Sequence, residues 1–347
     1  MEKSKSSLLD ALKDRPIAIW GARMTGMGFL RFSKAHGLDV VSFVDSDPAF
    51  NGKTINGIPV HHPDALTDLQ RSHPSLAIVI AVSIKEDEII QSLRGMNFSS
   101  GDFVLYSDYC DSFYTIDVVG TCNLVCPTCA HSIDGEKYPR GMMSFENFKQ
   151  VLDKIKREVE VVTHVSLYSW GEPFLHPDLP KIIKHLHSNG IAAAVSSNLS
   201  IKSADQIRDV IQARPEYLKV SISGYYPDVY DLTHTGGDIN LVKSNLYRVK
   251  HYIDKYNAGT FVDVNYHLYN NNNQKNLNKM QELCDELGFS LSATYALVMP
   301  LERCLDHCDA IEDPQTKALA DILLVGIDEG LEITKDVRSN SCPFKDN

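Results

Sequence analysis

At 347 residues, with 43% apolar and 23% charged residues, the chain has the make-up of a folded protein long enough to build two cores. Its 34 Lys and Arg against 45 Asp and Glu leave a net charge of −11 with no concentrated basic patch, which argues against a nucleic-acid partner. No apolar run approaches the ~20 residues that span a bilayer, and the charged start Met1 to Lys13 lacks the apolar stretch of a secretory signal, so the sequence reads as cytoplasmic with no membrane partner.

The first hundred or so residues alternate strand and helix. Ile17 to Trp20 is a short apolar run of buried-strand type, Gly21 to Gly28 a glycine-containing turn, and Phe29 to His36 has helical spacing. Val40 to Val44 and Leu76 to Val82 are further strands, and Glu86 to Leu93 is an amphipathic helix. The order predicts a Rossmann-like parallel sheet covered by helices over residues 1–109. Gly21, Gly26 and Gly28, with Asp45 after the second strand, imitate a dinucleotide fingerprint. Arg23, however, occupies the middle glycine position, where backbone would have to approach a pyrophosphate, so redox dinucleotide binding is not expected. The helix start could still hold an anion, or the unit could serve only as a docking domain.

After Tyr109 the pattern restarts with longer units. Strands are predicted near Thr115–Val119, His164–Tyr168, Ile191–Val195, Leu218–Ile222, Phe261–Leu268 and Phe289–Ala296, with helices between them such as Phe145–Glu158, Leu179–Ser188, Asp205–Ala213 and Leu277–Leu287. Six strand–helix units over residues 110–312 suit an α/β fold of partial (β/α)6 TIM-barrel type, with chemistry at the C-terminal strand ends. Residues 313–347 read as one helix, Thr316 to Gly330, and a tail.

Three of the eight cysteines fall within eight residues, directly after the first of these strands, in Gly120-Thr-Cys122-Asn-Leu-Val-Cys126-Pro-Thr-Cys129. Such packing in a long chain argues for metal or redox chemistry rather than a disulfide framework. Three thiolates spaced by four and three residues can converge on one side of a loop and hold an iron–sulfur cluster with one iron left open. The alternative is a structural zinc site with His131 as fourth ligand, in a non-catalytic binding module.

This cysteine pattern, followed by five more strand–helix units, resembles the radical S-adenosylmethionine (SAM) superfamily over about residues 115–299. The resemblance implies that Cys122, Cys126 and Cys129 hold a 4Fe-4S cluster whose open iron binds SAM, and that reductive cleavage of SAM yields a radical that abstracts a substrate hydrogen. Thr128 stands where that family often has an aromatic residue. The run Trp170-Gly171-Glu172-Pro173 is similar to the family's Gly-Gly-Glu segment, Ser196-Ser197-Asn198 to its third-strand element, and Ser221-Ile-Ser223-Gly224 to its fourth. These matches imply SAM contacts from Gly171, Glu172, Pro173, Ser197, Asn198, Ser221 and Ser223, with Met299 beside the adenine.

The stretch Tyr226 to Leu246 resembles the branch whose members often carry SPASM or twitch extensions, and it makes His234, with His267, a candidate at the substrate. Cys342-Pro-Phe344 resembles the entry to such an extension, five residues before the chain stops, so one cluster is expected. Cys304 and Cys308 are candidate hydrogen donors. The segment from Phe43 to Val60 resembles small Rossmann-like domains of sugar-modifying and acyl-transfer enzymes, some of which bind nucleotide sugars. On that resemblance the expected reaction is dehydration or epimerisation, a lyase or isomerase step, on a sugar or nucleotide sugar. Electrons would come from a flavodoxin- or ferredoxin-type donor. The alternative within the family is maturation of a ribosomal peptide.

Overall fold

The computed structural model describes residues 3–296 apart from positions 83, 111, 134–139 and 273, and beyond them only positions 314 and 317. Of the expected tail helix Thr316 to Gly330 only position 317 is described, and Met299, Cys304, Cys308 and Cys342 lie outside the described residues. No helix among the described residues is long and apolar enough to cross a membrane.

The chain opens with helix α1 (Lys5–Leu12), started by the Ser4 hydroxyl, which accepts the Ser7 backbone N–H. Strand β1 (Ile17–Trp20) leads into helix α2 (Met24–Ala35), then β2 (Val40–Val44), β3 (Thr54–Ile55), β4 (Ile58–His61), helix α3 (Leu66–Ser72), β5 (Ala77–Ile80), helix α4 (Glu86–Gly95) and β6 (Phe103–Leu105). They build a six-stranded sheet of order β3-β4-β2-β1-β5-β6, parallel but for β3. Every residue of β1 and β5 is buried, as strands covered on both faces must be.

Helix α2 begins inside the stretch Gly21 to Gly28 that was expected to be a turn, and the glycines show why. A Cβ on Gly26 would lie 1.9 Å from the Gly21 carbonyl oxygen, so its absence lets the first helical turn press on the end of β1. A Cβ on Gly28 would meet His164 Cβ at 3.0 Å and the Thr163 carbonyl oxygen at 3.1 Å. Both belong to the second half of the chain, so this glycine is required by helix-to-sheet packing. Asp45 is also committed locally: its carboxylate accepts the Ala22 and Asp47 backbone N–H groups at 2.8 and 2.9 Å.

The second half runs through β7 (Tyr114–Thr115), α5 (Ala130–Ile133), α6 (Phe145–Glu158), β8 (His164–Ser166), α7 (Leu179–Ser188), β9 (Ala192–Ser197), α8 (Ala204–Gln212), β10 (Tyr217–Ile222), α9 (Pro227–Thr233), α10 (Ile239–Tyr256), β11 (Phe261–Leu268), α11 (Gln274–Leu287) and β12 (Ser290–Tyr295). Its six strands lie side by side in chain order, all parallel, the arrangement of an open (β/α)6 barrel. The first of these strands is shorter than the expected Thr115–Val119. Val119 instead bridges antiparallel to Met142, which takes the chain out of the sheet early and into the cysteine loop.

Alternation along the strands sorts the barrel's two faces. Leu218, Val220 and Ile222 of β10, with Val262, Val264 and Tyr266 of β11, point outward into a core shared with α6, α7, α8, α10 and α11. Ser144, Ser203 and Asp238 start α6, α8 and α10 by accepting the first free backbone N–H groups of those helices.

The inward face is divided. At its lower end Ala194 and Tyr217 join a second core with Ile17, Phe29, Phe43 and Phe50, so the two sheets share one apolar interior. Phe261 stacks on Phe50 at 5.4 Å and on Tyr217 at 5.7 Å. Beside this contact the Glu216 carboxylate pairs with Arg31 of α2, lies 3.1 Å from His187 Nε2, and accepts the Ala193 N–H at 2.8 Å. Burial alone would raise the Glu216 pKa. The His187 hydrogen bond, the His187 and Arg31 charges and the Ala193 N–H together bring it below the ordinary 4.5.

Because the folded-state pKa of Glu216 is depressed, its ionisation stabilises the fold above the unfolded value and ceases to do so as pH falls through the folded value. Glu216→Gln should therefore lower the unfolding free energy at neutral pH by about 3 kcal/mol, through the unpaired Arg31. Denaturant titrations at a series of pH values should show that difference shrinking below the carboxylate range. A second check concerns Gly28: Gly28→Val should cost about 1–3 kcal/mol by overpacking. Gly95→Ala, with open space around the position, should be neutral or stabilising by up to about 1 kcal/mol, both read from thermal melts.

Candidate functional site

The loop between β7 and α5 has almost no regular structure, so it is held by contacts from elsewhere. Gly120 N–H donates to the Gly141 carbonyl at 2.8 Å, Val125 N–H to Thr235 at 2.9 Å, and Asn123 Nδ2 to the Ser200 carbonyl at 2.9 Å. Asn198 Nδ2 reaches Asn123 Oδ1 at 3.0 Å and Cys122 Sγ at 3.6 Å, while Leu124 N–H points to the same sulfur at 3.4 Å. Gly171 lies so close beneath the loop that a Cβ there would sit 1.6 Å from the Val119 carbonyl oxygen.

Glu172 is 2% exposed, and its carboxylate accepts the Phe174 N–H at 3.0 Å and the Asn198 N–H at 2.8 Å. Burial raises its pKa to about 7, against the lowering effect of those two N–H groups and the Ser197 hydroxyl. It therefore clasps the turn after β8 to the end of β9. Leu199, fully buried, takes up a left-handed φ of 53° at that corner, an uncommon conformation for a large side chain. Its N–H donates to Ser197 Oγ at 2.9 Å and its carbonyl accepts Asn245 Nδ2 at 2.9 Å, which fixes the kink.

Cys122, Cys126 and Cys129 all line one cavity of about 500 Å³ at the C-terminal ends of the barrel strands. Burial pushes the Cys122 thiol up to about 11 and Cys126 to about 12, and it raises Cys129 as well, with the neighbouring thiols adding to the rise in the first two. Among the described residues no three His, Cys, Asp or Glu side chains converge tightly enough to enclose a single metal ion. His131 lines a different cavity, with Asp117, Arg140 and Trp170, so it does not complete a four-ligand zinc site with the cysteines. Three soft sulfur donors around a shared space, with no fourth ligand among the described residues, fit a polynuclear iron–sulfur cluster.

The same cavity takes in Gly171, Glu172, Ser197, Asn198, Ser221, His234 and His267 from the set singled out in the sequence. Two members of that set lie elsewhere. Pro173 is buried at the start of a short turn and does not line the cavity. Ser223 is fully buried, its hydroxyl bonded to Thr233 and, at 2.5 Å, to His234 Nδ1, so it holds the histidine from behind instead of facing the cavity. His234 also stacks on Tyr230 at 4.8 Å. Burial lowers its pKa to about 3 and that of His267 to about 4, so both rings are neutral at physiological pH.

Among the lining residues that the sequence did not single out are Lys219, Tyr269 and Thr294. Lys219 had a signal, since it shares the inward period-two set of β10 with Tyr217 and Ser221. Tyr269 had none. It follows β11, yet its hydroxyl lies 2.9 Å from Thr128 Oγ1, 141 residues away, and so brings an aromatic ring to the position before the third cysteine.

Residues 116–283 match the model of the Radical SAM superfamily. An AdoMet-dependent heme synthase of Oleidesulfovibrio alaskensis is 24% identical over 115 residues, 33% of this chain and 29% of that protein. A 7,8-dihydro-6-hydroxymethylpterin dimethyltransferase of Methanocaldococcus jannaschii is 26% identical over 102 residues, 28% of this chain and 19% of that protein. The matched stretch thus spans less than a third of either relative. Among solved structures, SuiB of Streptococcus suis is 13% identical, covering 65% of this chain and 51% of that one at a TM-score of 0.44. With its cysteine loop and parallel open barrel, the stretch 116–283 is a radical SAM domain, and the superfamily it matches uses a 4Fe-4S cluster and SAM.

Proposed function

We propose that this chain cleaves SAM reductively at a cluster held by Cys122, Cys126 and Cys129 and abstracts hydrogen from a hydroxyl-rich, carbohydrate-type metabolite, leading to dehydration or epimerisation. Bound at this cavity, the cluster and SAM would supply one-electron cleavage of a carbon–sulfur bond, with an electron from a flavodoxin- or ferredoxin-type donor, and a carbon radical able to take a hydrogen atom. The chain's own contribution is to seat and orient. Asn198 and the Leu124 N–H hold the Cys122 sulfur, and Glu172 fixes the strand-end corner from which Asn198 reaches it.

The observation that carries the reading is the chemistry of the wall beyond the cysteines. Tyr168, Ser196, Ser221, His267 and Thr294 present hydroxyl and imidazole groups to the same space, and Trp170 adds an aromatic face. Such a wall suits a substrate with several hydroxyls, each needing a hydrogen-bond partner once desolvated. Two neutral histidines give groups that accept or donate without placing a charge beside a radical.

Two measurements test this. Single Cys→Ala changes at positions 122, 126 and 129 should each cut iron and acid-labile sulfide well below the roughly four of each expected per reconstituted chain; full retention in any one variant would remove that residue from the ligand set. With dithionite, SAM and deuterium-labelled sugars or sugar acids, mass spectrometry should find deuterium in 5′-deoxyadenosine. Transfer from a peptide and from no sugar would replace the carbohydrate reading with the peptide one.

A further inference from the structure

The inward face of β10 passes from the shared apolar core to the cavity in three steps: Tyr217, Lys219 and Ser221. Tyr217 donates its hydroxyl to Asp263 Oδ2 at 2.5 Å, an oxygen that also accepts Ser292 Oγ at 3.0 Å and lies 4.0 Å from Arg23. Asp263 is the register neighbour of Lys219 on β11 and its charge opposes the fall that burial imposes on the ammonium's pKa. Yet no nitrogen–oxygen approach within ion-pair distance joins the two, and no described group hydrogen-bonds the ammonium.

Lys219 is half-buried and is the one Lys or Arg among the described residues lining the cavity. The other ionisable groups there are three thiols, two tyrosines, a glutamic acid and two histidines, none of which offers a fixed positive charge. Removing a lysine from water without a partner is costly, so such a position makes sense when an anion completes it. Lys219 also stands three residues before the end of β10, about 10 Å below the strand end at ~3.3 Å per residue. That places it toward the barrel floor, on the far side of the cavity from the loop that carries the cysteines.

We propose that Lys219 binds an anionic group of the substrate, a carboxylate or a phosphate, and so orients the molecule with its reacting carbon toward the cysteine loop. The proposal rests on the radical SAM reading for what lies above it, and it narrows the substrate class from polyhydroxylated to polyhydroxylated and anionic.

The test is equilibrium binding to the anaerobically reconstituted protein, with and without SAM, using D-gluconate and D-glucose 6-phosphate as probes and D-glucose as the neutral control. At least one anion should bind more tightly than glucose, and which one does separates carboxylate from phosphate. Lys219→Met and Lys219→Gln should each weaken that binding by about tenfold or more, Lys219→Arg should hold it within about threefold, and SAM affinity should move by less than about twofold in all three. Anion binding that is absent in the wild type, or unchanged in both neutral variants, overturns the proposal. So does a loss of SAM affinity equal to the loss for the anion, which would assign Lys219 to the carboxylate of SAM. If the wild type binds no SAM the radical reading fails, while the SAM-free titrations still decide the role of Lys219.

Discussion

The site depends on one constraint: an irregular loop must present three sulfurs to a common space without a helix or strand of its own to stiffen it. The carboxylate of Glu172 meets that need from below. It accepts backbone N–H groups on both sides of the gap between the turn after β8 and the end of β9, and so fixes Asn198, whose amide reaches Asn123 and Cys122. Gly171 permits the close stacking of that turn under Val119. The left-handed Leu199 is the strained element of this corner, and its hydrogen bonds, to the Ser197 hydroxyl and from the Asn245 amide, offset the cost.

The first sheet does more than precede the barrel. Helix α2 and Phe50 fill the lower lumen, so the inward faces of the strands change character along their length. On β11 the series is Phe261, Asp263, Asn265 and His267; on β10 it is Tyr217, Lys219 and Ser221. The apolar ends pack against the first sheet and the polar ends face the cavity. Arg23 belongs to the same junction, its guanidinium paired with Asp47 at 3.1 Å and set 5.1 Å over the Phe50 ring.

Much of this was legible in the sequence, because strand burial and cysteine spacing are local signals. The buried strands, the parallel order of six strand–helix units and the cysteine loop follow from apolar runs and from spacing. What could not be read is what depends on contacts far apart in the chain. Gly26 and Gly28 imitate a phosphate-binding turn, but they serve close packing, one against β1 and the other against β8. Ser223 has the position of a ligand-binding hydroxyl and instead supports His234. Tyr269 reaches Thr128 across the whole barrel, a pairing that no spacing rule encodes.

Whether the three cysteines hold a cluster whose open iron binds SAM is tested most directly by electron paramagnetic resonance of the reduced, reconstituted protein. The spectrum should show a 4Fe-4S cluster in its one-electron-reduced state, with g values that shift when SAM is added. A signal indifferent to saturating SAM, or a colourless protein holding one zinc per chain, would contradict it.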